Sequence, residues 1–179
     1  MKGIIFSELL DFVERHAGNR KLEEILEQAD LESGGAYTSV GNYPHHEAIS
    51  IVSKASELLG LDSPELLREF GLELFDKLAI RHPEFFVGIN DYKTFLKGIQ
   101  THIHDEVKKL YPDSTPPSFT VEEEKGNLII NYTSHRPMAM VALGLLEGCV
   151  KHFGVPVTIQ SQPESLTLDS QACFLIMDD

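Results

Sequence analysis

Residues 128–136 read Leu128-Ile-Ile-Asn-Tyr-Thr-Ser-His-Arg136, a run of strand-forming residues that ends in polar side chains. In an extended strand every second side chain lies on the same face. The even-numbered residues therefore share a face that begins apolar and ends with Tyr132, Ser134 and Arg136. Such a row suits a ligand with an apolar body and a carboxylate edge, because a guanidinium can bind a carboxylate bidentately. A solvated strand end, with Arg136 paired to a protein carboxylate, is the alternative.

The segment after this strand predicts a buried helix. It opens at Pro137, runs to about Phe153 and has one narrow polar stripe, Glu147 and Lys151 at i,i+4 spacing. A helix that is apolar on nearly every side is buried on two faces. One face can cover the sheet, and the other needs further protein, a partner or a flat apolar ligand. Core packing alone is the commoner reason for such a helix.

The flanking regions predict an α+β protein of one domain. Apolar residues at helical spacing predict helices at 4–17, 22–29, 46–59, 63–72, 73–81 and 95–110, with Ser63 and Asp91 as caps. After Pro116-Pro117 the period becomes that of strands, at 119–123, 128–132, 155–160, 166–168 and 172–177. We expect Gly126-Asn127 to take positive φ in the first hairpin turn. The sequence thus predicts an N-terminal helical half followed by a four- to five-stranded antiparallel sheet with an embedded helix.

Charge and composition exclude several classes of protein. Fifteen Lys and Arg residues against 28 Asp and Glu residues give a net charge of −13. Nucleic acid and anionic membranes need clustered positive charge, so we expect neither as a partner. No apolar stretch approaches the roughly 18 residues of a membrane span. The two cysteines, Cys149 and Cys173, make no disulfide framework, so the default expectation is a reduced, cytoplasmic setting.

The helix predicted at 95–110 carries two candidate ligand histidines. His102 and His104 lie about 200° apart around a continuous helix and cannot easily share one metal ion. Each flanks the buried stripe, so the helical wheel does not choose between them, and a structural role is the commoner one for a lone boundary histidine. We find no recognisable phosphate loop, nucleophile elbow or catalytic carboxylate pair.

Taken together, these residues resemble the haem nitric oxide/oxygen-binding (H-NOX) family. Tyr132-Thr-Ser-His-Arg136 is similar to its Y-x-S-x-R motif, and the resemblance extends over essentially the whole chain through Met1-Lys-Gly-Ile-Ile-Phe6 and Leu143-Gly-Leu-Leu-Glu-Gly148. The resemblance implies haem b (iron protoporphyrin IX), with its propionates bound by Tyr132, Ser134 and Arg136. It also implies a helical distal subdomain at about 1–62 and a proximal subdomain at about 63–179.

The resemblance assigns the iron ligand as well. The family spacing is His, seven residues, then Pro, which His104-Asp-Glu-Val-Lys-Lys-Leu-Tyr-Pro112 fits and His102 does not. By the same resemblance, Ile5 and Pro117 press on the macrocycle. Further haem-pocket positions that it implies are Leu74, Met138, Val141 and Leu145.

The distal positions predict which gas binds. Oxygen-binding members of the family resemble one another in carrying a tyrosine five residues after the motif arginine, and that position here is Val141. The neighbouring positions, Leu74 and Ile5 or Leu9, also lack a donor. Bound dioxygen gains much from a hydrogen bond, whereas nitric oxide binds ferrous haem strongly without one. We therefore expect a nitric oxide sensor, with carbon monoxide as a further ligand.

The resemblance implies signalling and no catalysis. Nitric oxide would weaken the bond from iron to His104, and release of His104 would let the helical half move relative to the sheet half. Because 179 residues leave no room for a kinase or cyclase domain, we expect the output to pass to a separate histidine kinase or cyclic-di-GMP-metabolising enzyme. An oxygen- or carbon monoxide-responsive sensor, a peroxidase-like haem enzyme and a haem-free interaction module are the alternatives.

Overall fold

The computed structural model describes residues 1–110, 112–161 and 170–178, with only the backbone of residues 102, 106 and 110. The chain forms two compact units, Met1–Phe70 and Gly71–Asp179. It passes from the first to the second within the helix Ser63–Arg81, whereas the sequence predicts a division at about residue 62.

The first unit is helical. It consists of α1 (Gly3–Ala17), α2 (Asn19–Gln28), α3 (His45–Leu59) and the beginning of α4 (Ser63–Arg81). α1 buries Phe6, Leu9, Phe12 and Val13, which share one face at helical spacing. The predicted bounds of α1 and α3 agree with the structure to within one residue. α2 begins at Asn19 and not at Leu22, because Gly18, at φ 83°, turns the chain directly from one helix into the next.

The N-terminal segment is hydrogen-bonded to the loop between α2 and α3. The N–H of Gly3 donates to the carbonyl of Gly41 at 2.9 Å, and that of Ile4 to the carbonyl of Ser39 at 3.0 Å. A Cβ atom at Gly3 would lie only 1.8 Å from the carbonyl oxygen of Thr38. Glycine at position 3 is therefore what allows the two segments to approach.

A buried carboxylate holds the same loop. Glu47, near the start of α3, is fully buried and accepts hydrogen bonds from the backbone and hydroxyl of Ser33 and from the hydroxyl of Tyr37. The Tyr37 ring stacks on Phe6 with 4.3 Å between ring centroids. Because a buried charge is costly unless it is hydrogen-bonded, these contacts tie the loop to α1 and α3.

α4 differs from its prediction in two ways. It is one continuous helix, so the predicted separation of 63–72 from 73–81 is wrong. Gly71 does not end it, because the residues on both sides keep burying apolar side chains such as Phe70 and Leu74. The predicted cap, Ser63, is the first helical residue, and the side chain of Asp62 accepts the Glu65 N–H instead, at 3.2 Å.

The helix predicted at 95–110 is divided into three parts. They are α5 (Tyr92–Gly98), a π-helical segment (Ile99–His104) and α6 (Asp105–Leu110). Asp91 caps α5 as predicted, accepting from the Thr94 N–H at 2.8 Å. The N–H of Asp105 donates to the carbonyl of Gln100, five residues earlier, so the continuous α-helix assumed in placing the two histidines is wrong.

The second unit also contains the predicted antiparallel sheet. Its strands are β1 (Ser118–Glu124), β2 (Asn127–Thr133), β3 (Val157–Ser161) and β4 (Gln171–Asp178), in the order β1-β2-β4-β3. Positive φ falls on Lys125 and Gly126, and not on Gly126-Asn127 as predicted, because Asn127 already pairs with Glu124 in the hairpin. The strand predicted at 166–168 lies outside the described residues. The predicted α+β fold class is confirmed.

The embedded helix, α7 (Ala139–Phe153), begins two residues after Pro137 and is buried along most of its surface. Two glycines allow it to pack closely on α4. A Cβ atom at Gly71 would lie 2.3 Å from the carbonyl oxygen of Val141, and one at Gly148 would lie 2.5 Å from the Cβ of Phe75. The second face of α7 is thus covered in part by protein.

Candidate functional site

His104 ends the π-helical segment and is half-buried. Its ring lies against Phe119 of β1, with 5.6 Å between ring centroids and 40° between planes. Burial lowers the pKa of His104 to about 4, and the positive charge of Lys108 acts in the same direction. The imidazole is therefore neutral near pH 7, which is the form that ligates a metal ion.

Tyr132, at the end of β2, is 4 % exposed. Burial raises the pKa of its hydroxyl, while a hydrogen bond with Ser134 and the positive charge of Arg136 lower it. Ser134 lies just beyond the strand. Its hydroxyl oxygen accepts the backbone N–H of Arg136 at 3.0 Å, and its own backbone N–H donates to the carbonyl of Ser170 at 2.7 Å. The strand alternation predicted for Tyr132, Ser134 and Arg136 therefore ends at Tyr132, and a hydrogen bond joins Ser134 to Arg136 beyond the strand.

Arg136 has an unusual environment for a guanidinium. Its Nη1 donates to the carbonyl of Thr115 at 2.6 Å, and its Nη2 to the Thr115 hydroxyl at 2.8 Å. Burial lowers the pKa of Arg136, but an arginine remains charged in proteins. No carboxylate of the described residues pairs with it, so the alternative of an ordinary ion pair at a strand end has no support here.

Buried polar atoms without a partner mark the same region. Among the described residues they are His104 Nδ1, Ser114 Oγ and Arg136 Nε. Buried nitrogen and oxygen atoms are nearly always hydrogen-bonded in folded proteins. Two of these atoms belong to the predicted iron ligand and to the predicted carboxylate-binding arginine. The third is next to Thr115, which holds that arginine.

The remaining predicted site residues fall into separate groups. Val141 and Leu145 are at i,i+4 and so share one side of α7, with Val141 buried and Leu145 half-buried, and the buried Met138 lies directly before the helix. Leu74 is 3 % exposed and one turn beyond Gly71, the α4 residue that meets Val141. Pro117 is half-buried just before β1.

Ile5 and Leu9, the remaining distal candidates, lie on α1 of the first unit; Ile5 is half-buried and Leu9 is 2 % exposed. No group of three or more His, Cys, Asp or Glu side chains in the described ranges could hold a metal ion. A metal bound through His104 would therefore need other ligands, such as those of a macrocycle.

Sequence reasoning missed Phe119 and Thr115. Phe119 pairs with Tyr132 in the β1–β2 register, and its ring lies 5.4 Å from that of Tyr132. A two-residue hairpin turn fixes the register, so the sequence contained the signal for Phe119. It contained none for Thr115, which lies in the irregular segment before β1 and contacts Arg136, 21 positions later and beyond the end of β2.

Comparison with known proteins identifies the class of protein to which this fold belongs. The family model described as Haem-NO-binding matches residues 2–161. The chain belongs to this family, H-NOX.

Solved structures of H-NOX proteins match the whole chain. The Fe(II) unliganded protein from K. algicida is 33% identical, with a TM-score of 0.92 and coverage of 100% of this chain and 97% of that one. The S. oneidensis protein in the Fe(II)NO state is 28% identical, with a TM-score of 0.89 and coverage of 100% and 99%. The Shewanella woodyi protein, bound to IWP-051 in the Fe(II)CO state, is 37% identical, with a TM-score of 0.83 and coverage of 100% and 95%.

Within the described ranges, none of the helices has the length and apolar character that crossing a membrane requires.

Proposed function

We propose that this chain binds haem b (iron protoporphyrin IX) and senses nitric oxide, without catalytic activity of its own. The observation that carries the proposal is the buried, unpartnered polar atoms on His104 and Arg136. The side chains of His104 and Arg136 fit haem. A neutral imidazole can ligate haem iron, and a guanidinium with no carboxylate partner among the described residues could bind a propionate.

Each residue has a separate task in this proposal. His104 holds the iron through its imidazole, Arg136 neutralises a propionate, and the hydroxyls of Tyr132 and Ser134 add hydrogen bonds at the same edge. Thr115 keeps the guanidinium at that edge through two bonds. When bound, haem supplies a ferrous iron with a coordination position open to a diatomic gas.

The choice of gas rests on apolar side chains. Val141 and Leu74 are buried, and neither they nor Ile5 and Leu9 carry a hydrogen-bond donor. An unstabilised partial charge on bound dioxygen costs of order a few kcal/mol, against about 1.4 kcal/mol for a factor of ten in affinity. These residues therefore favour nitric oxide over dioxygen. The S. oneidensis relative was solved in the Fe(II)NO state, and the S. woodyi relative in the Fe(II)CO state.

The signal would leave through the helices beside His104. α5 is anchored to the sheet, because Tyr92 and Lys93 both donate to Asp178, the latter at 2.6 Å. A change at His104 would therefore act on the π-helical segment and α6, while α5 stays anchored. We propose that a separate histidine kinase or a cyclic-di-GMP-metabolising enzyme reads this change.

The deciding experiment is an absorption spectrum of the purified ferrous protein, first in air and then with nitric oxide. The expected result is a coloured protein with no stable oxy complex and a clear spectral change with nitric oxide. A colourless protein that does not take up added haem would refute haem binding. An oxy spectrum lasting for minutes in air would refute selectivity for nitric oxide.

A further inference from the structure

Gln100 connects the π-helical segment to the sheet. Its side-chain Oε1 accepts the backbone N–H of Phe119 at 3.1 Å. In the described part of the chain β1 is an edge strand, so its outward N–H groups face no neighbouring strand there. Gln100, in the segment that ends at His104, accepts the hydrogen bond of one of these N–H groups, that of Phe119.

The backbone of Gln100 also takes part in the π-helical turn. Its carbonyl oxygen accepts the Asp105 N–H, five residues later. One residue thus contributes the main-chain acceptor of the irregular turn and the side-chain bond that holds this turn against β1. π-Helical turns are rare and are often found at functional sites.

Phe119 completes a chain of contacts from Gln100 to the motif. Its backbone is held by Gln100, and its ring lies 5.6 Å from that of His104 and 5.4 Å from that of Tyr132. The same aromatic ring therefore contacts the proposed iron ligand and a proposed propionate ligand. A shift of the segment along β1 would change how His104 meets this ring.

We infer that Gln100 is a positioning residue for His104: its amide fixes the π-helical segment on β1 and thereby sets the orientation of the imidazole. The inference rests on the proposed role of His104 as iron ligand. Gln100 itself does not touch the metal. Its contribution is the acceptor atom and the length of its side chain.

The test compares Gln100→Leu, which removes the acceptor, with Gln100→Glu, which keeps an acceptor at the same reach. Gln100→Asn serves if the leucine variant does not fold, because its amide is too short to span the contact. Thr101→Val is the matched control in the same segment, since the Thr101 hydroxyl reaches only the Gly98 carbonyl, at 3.4 Å. Urea unfolding of all variants checks that they are equally folded.

Two readouts separate a structural effect from a positioning effect. Hydrogen exchange at the Phe119 amide should become roughly five- to tenfold faster in Gln100→Leu, as expected for loss of one hydrogen bond. The iron–histidine stretching frequency of the ferrous protein should shift in the same variant. Gln100→Glu should restore both values, and Thr101→Val should match the parent protein.

The outcomes distinguish this inference from the proposed function. Unchanged Phe119 exchange in Gln100→Leu would overturn the inference, as would faster exchange with an unchanged iron–histidine frequency. A parent protein with no iron–histidine band would refute the ligand role of His104, and the positioning role with it. In that case the exchange measurement would still report whether Gln100 binds Phe119.

Discussion

His104 and Arg136 share a feature that few protein side chains have, which is a buried nitrogen with no hydrogen-bond partner. Leaving a buried donor or acceptor unpaired costs about 1–3 kcal/mol. A bound group that supplied partners for these two atoms would remove this cost, and the removal would favour binding. The predictions at the scale of the residue follow from removing each side chain in turn.

Replacement of His104 by glycine should give protein with little haem, and free imidazole should restore the haem by occupying the vacated position. The haem content is measured as the ratio of Soret to protein absorbance. His102→Gly is the control and should keep the haem content of the parent. A normal spectrum for His104→Gly, with loss of haem in His102→Gly, would assign the ligand to His102.

Arg136→Ala should lower haem retention more than Tyr132→Ala or Ser134→Ala. Arg136 alone carries a charge, and hydrogen bonds between charged groups are roughly twice as strong as those between neutral groups. Haem loss to an apoprotein acceptor, followed over time, measures the effect. Arg81→Ala, at the end of α4, is the control for loss of one arginine. Equal haem loss in all four variants and the parent would remove the propionate role.

At the scale of the element, the N-terminal segment of α1 depends on a single missing Cβ. The hydrogen bonds from Gly3 and Ile4 hold α1 to the 38–43 loop, and the Thr38 carbonyl occupies the place that a side chain at position 3 would need. Tyr37, directly before this loop, donates its hydroxyl hydrogen to Glu47. The packing of α1 therefore depends on backbone approach as well as on its apolar face.

Gly3→Ala should lower the free energy of unfolding by roughly 1–3 kcal/mol, because the added methyl group would overlap a backbone oxygen that cannot rotate away. For a chain of this size, each kcal/mol corresponds to about 2–4 °C in Tm. Ser7→Ala, which removes only a 3.2 Å bond to the Gly3 carbonyl in the same helix, should change Tm much less. Equal Tm values for the two variants would show that the segment relaxes around the added atom.

At the scale of the whole molecule, the two units contribute differently to the proposed site. Among the described residues, His104 contacts Phe119 and Arg136 contacts Thr115, both in Gly71–Asp179, whereas Met1–Phe70 has its own apolar core and its own buried carboxylate. A group that binds only the folded protein stabilises it in proportion to its affinity. Bound haem should therefore stabilise Gly71–Asp179 more than Met1–Phe70.

Removal of haem should lower Tm, and hydrogen exchange should rise most between residues 99 and 136. The helices α2 and α3 should be affected less, because their buried residues lie in the core of the first unit. Exchange measured before and after haem extraction, with re-addition of haem as the control, checks this. A uniform rise in exchange along the chain would indicate that the two units unfold together.

The sequence by itself determined the class of the fold, the family and the bounds of α1, α3 and the β1–β2 hairpin to within one residue. Apolar periodicity is a local property, and it placed α1, α3 and the β1–β2 hairpin. The buried face of β2 that ends at Tyr132 follows from the alternation of side chains in a strand. Spacing to Pro112 singled out His104 by resemblance to the family, which the helical wheel could not do.

Only the tertiary structure decided the contacts that make these residues a site. Gly71 reads locally as a helix breaker, yet α4 continues because both of its parts bury apolar residues and Val141 lies against the glycine. Likewise, nothing local distinguishes Gln100 or Thr115, whose partners are 19 and 21 positions away. Hydrogen bonds between distant segments depend on where the folded backbone places them, and the pattern of neighbouring residues does not encode that placement.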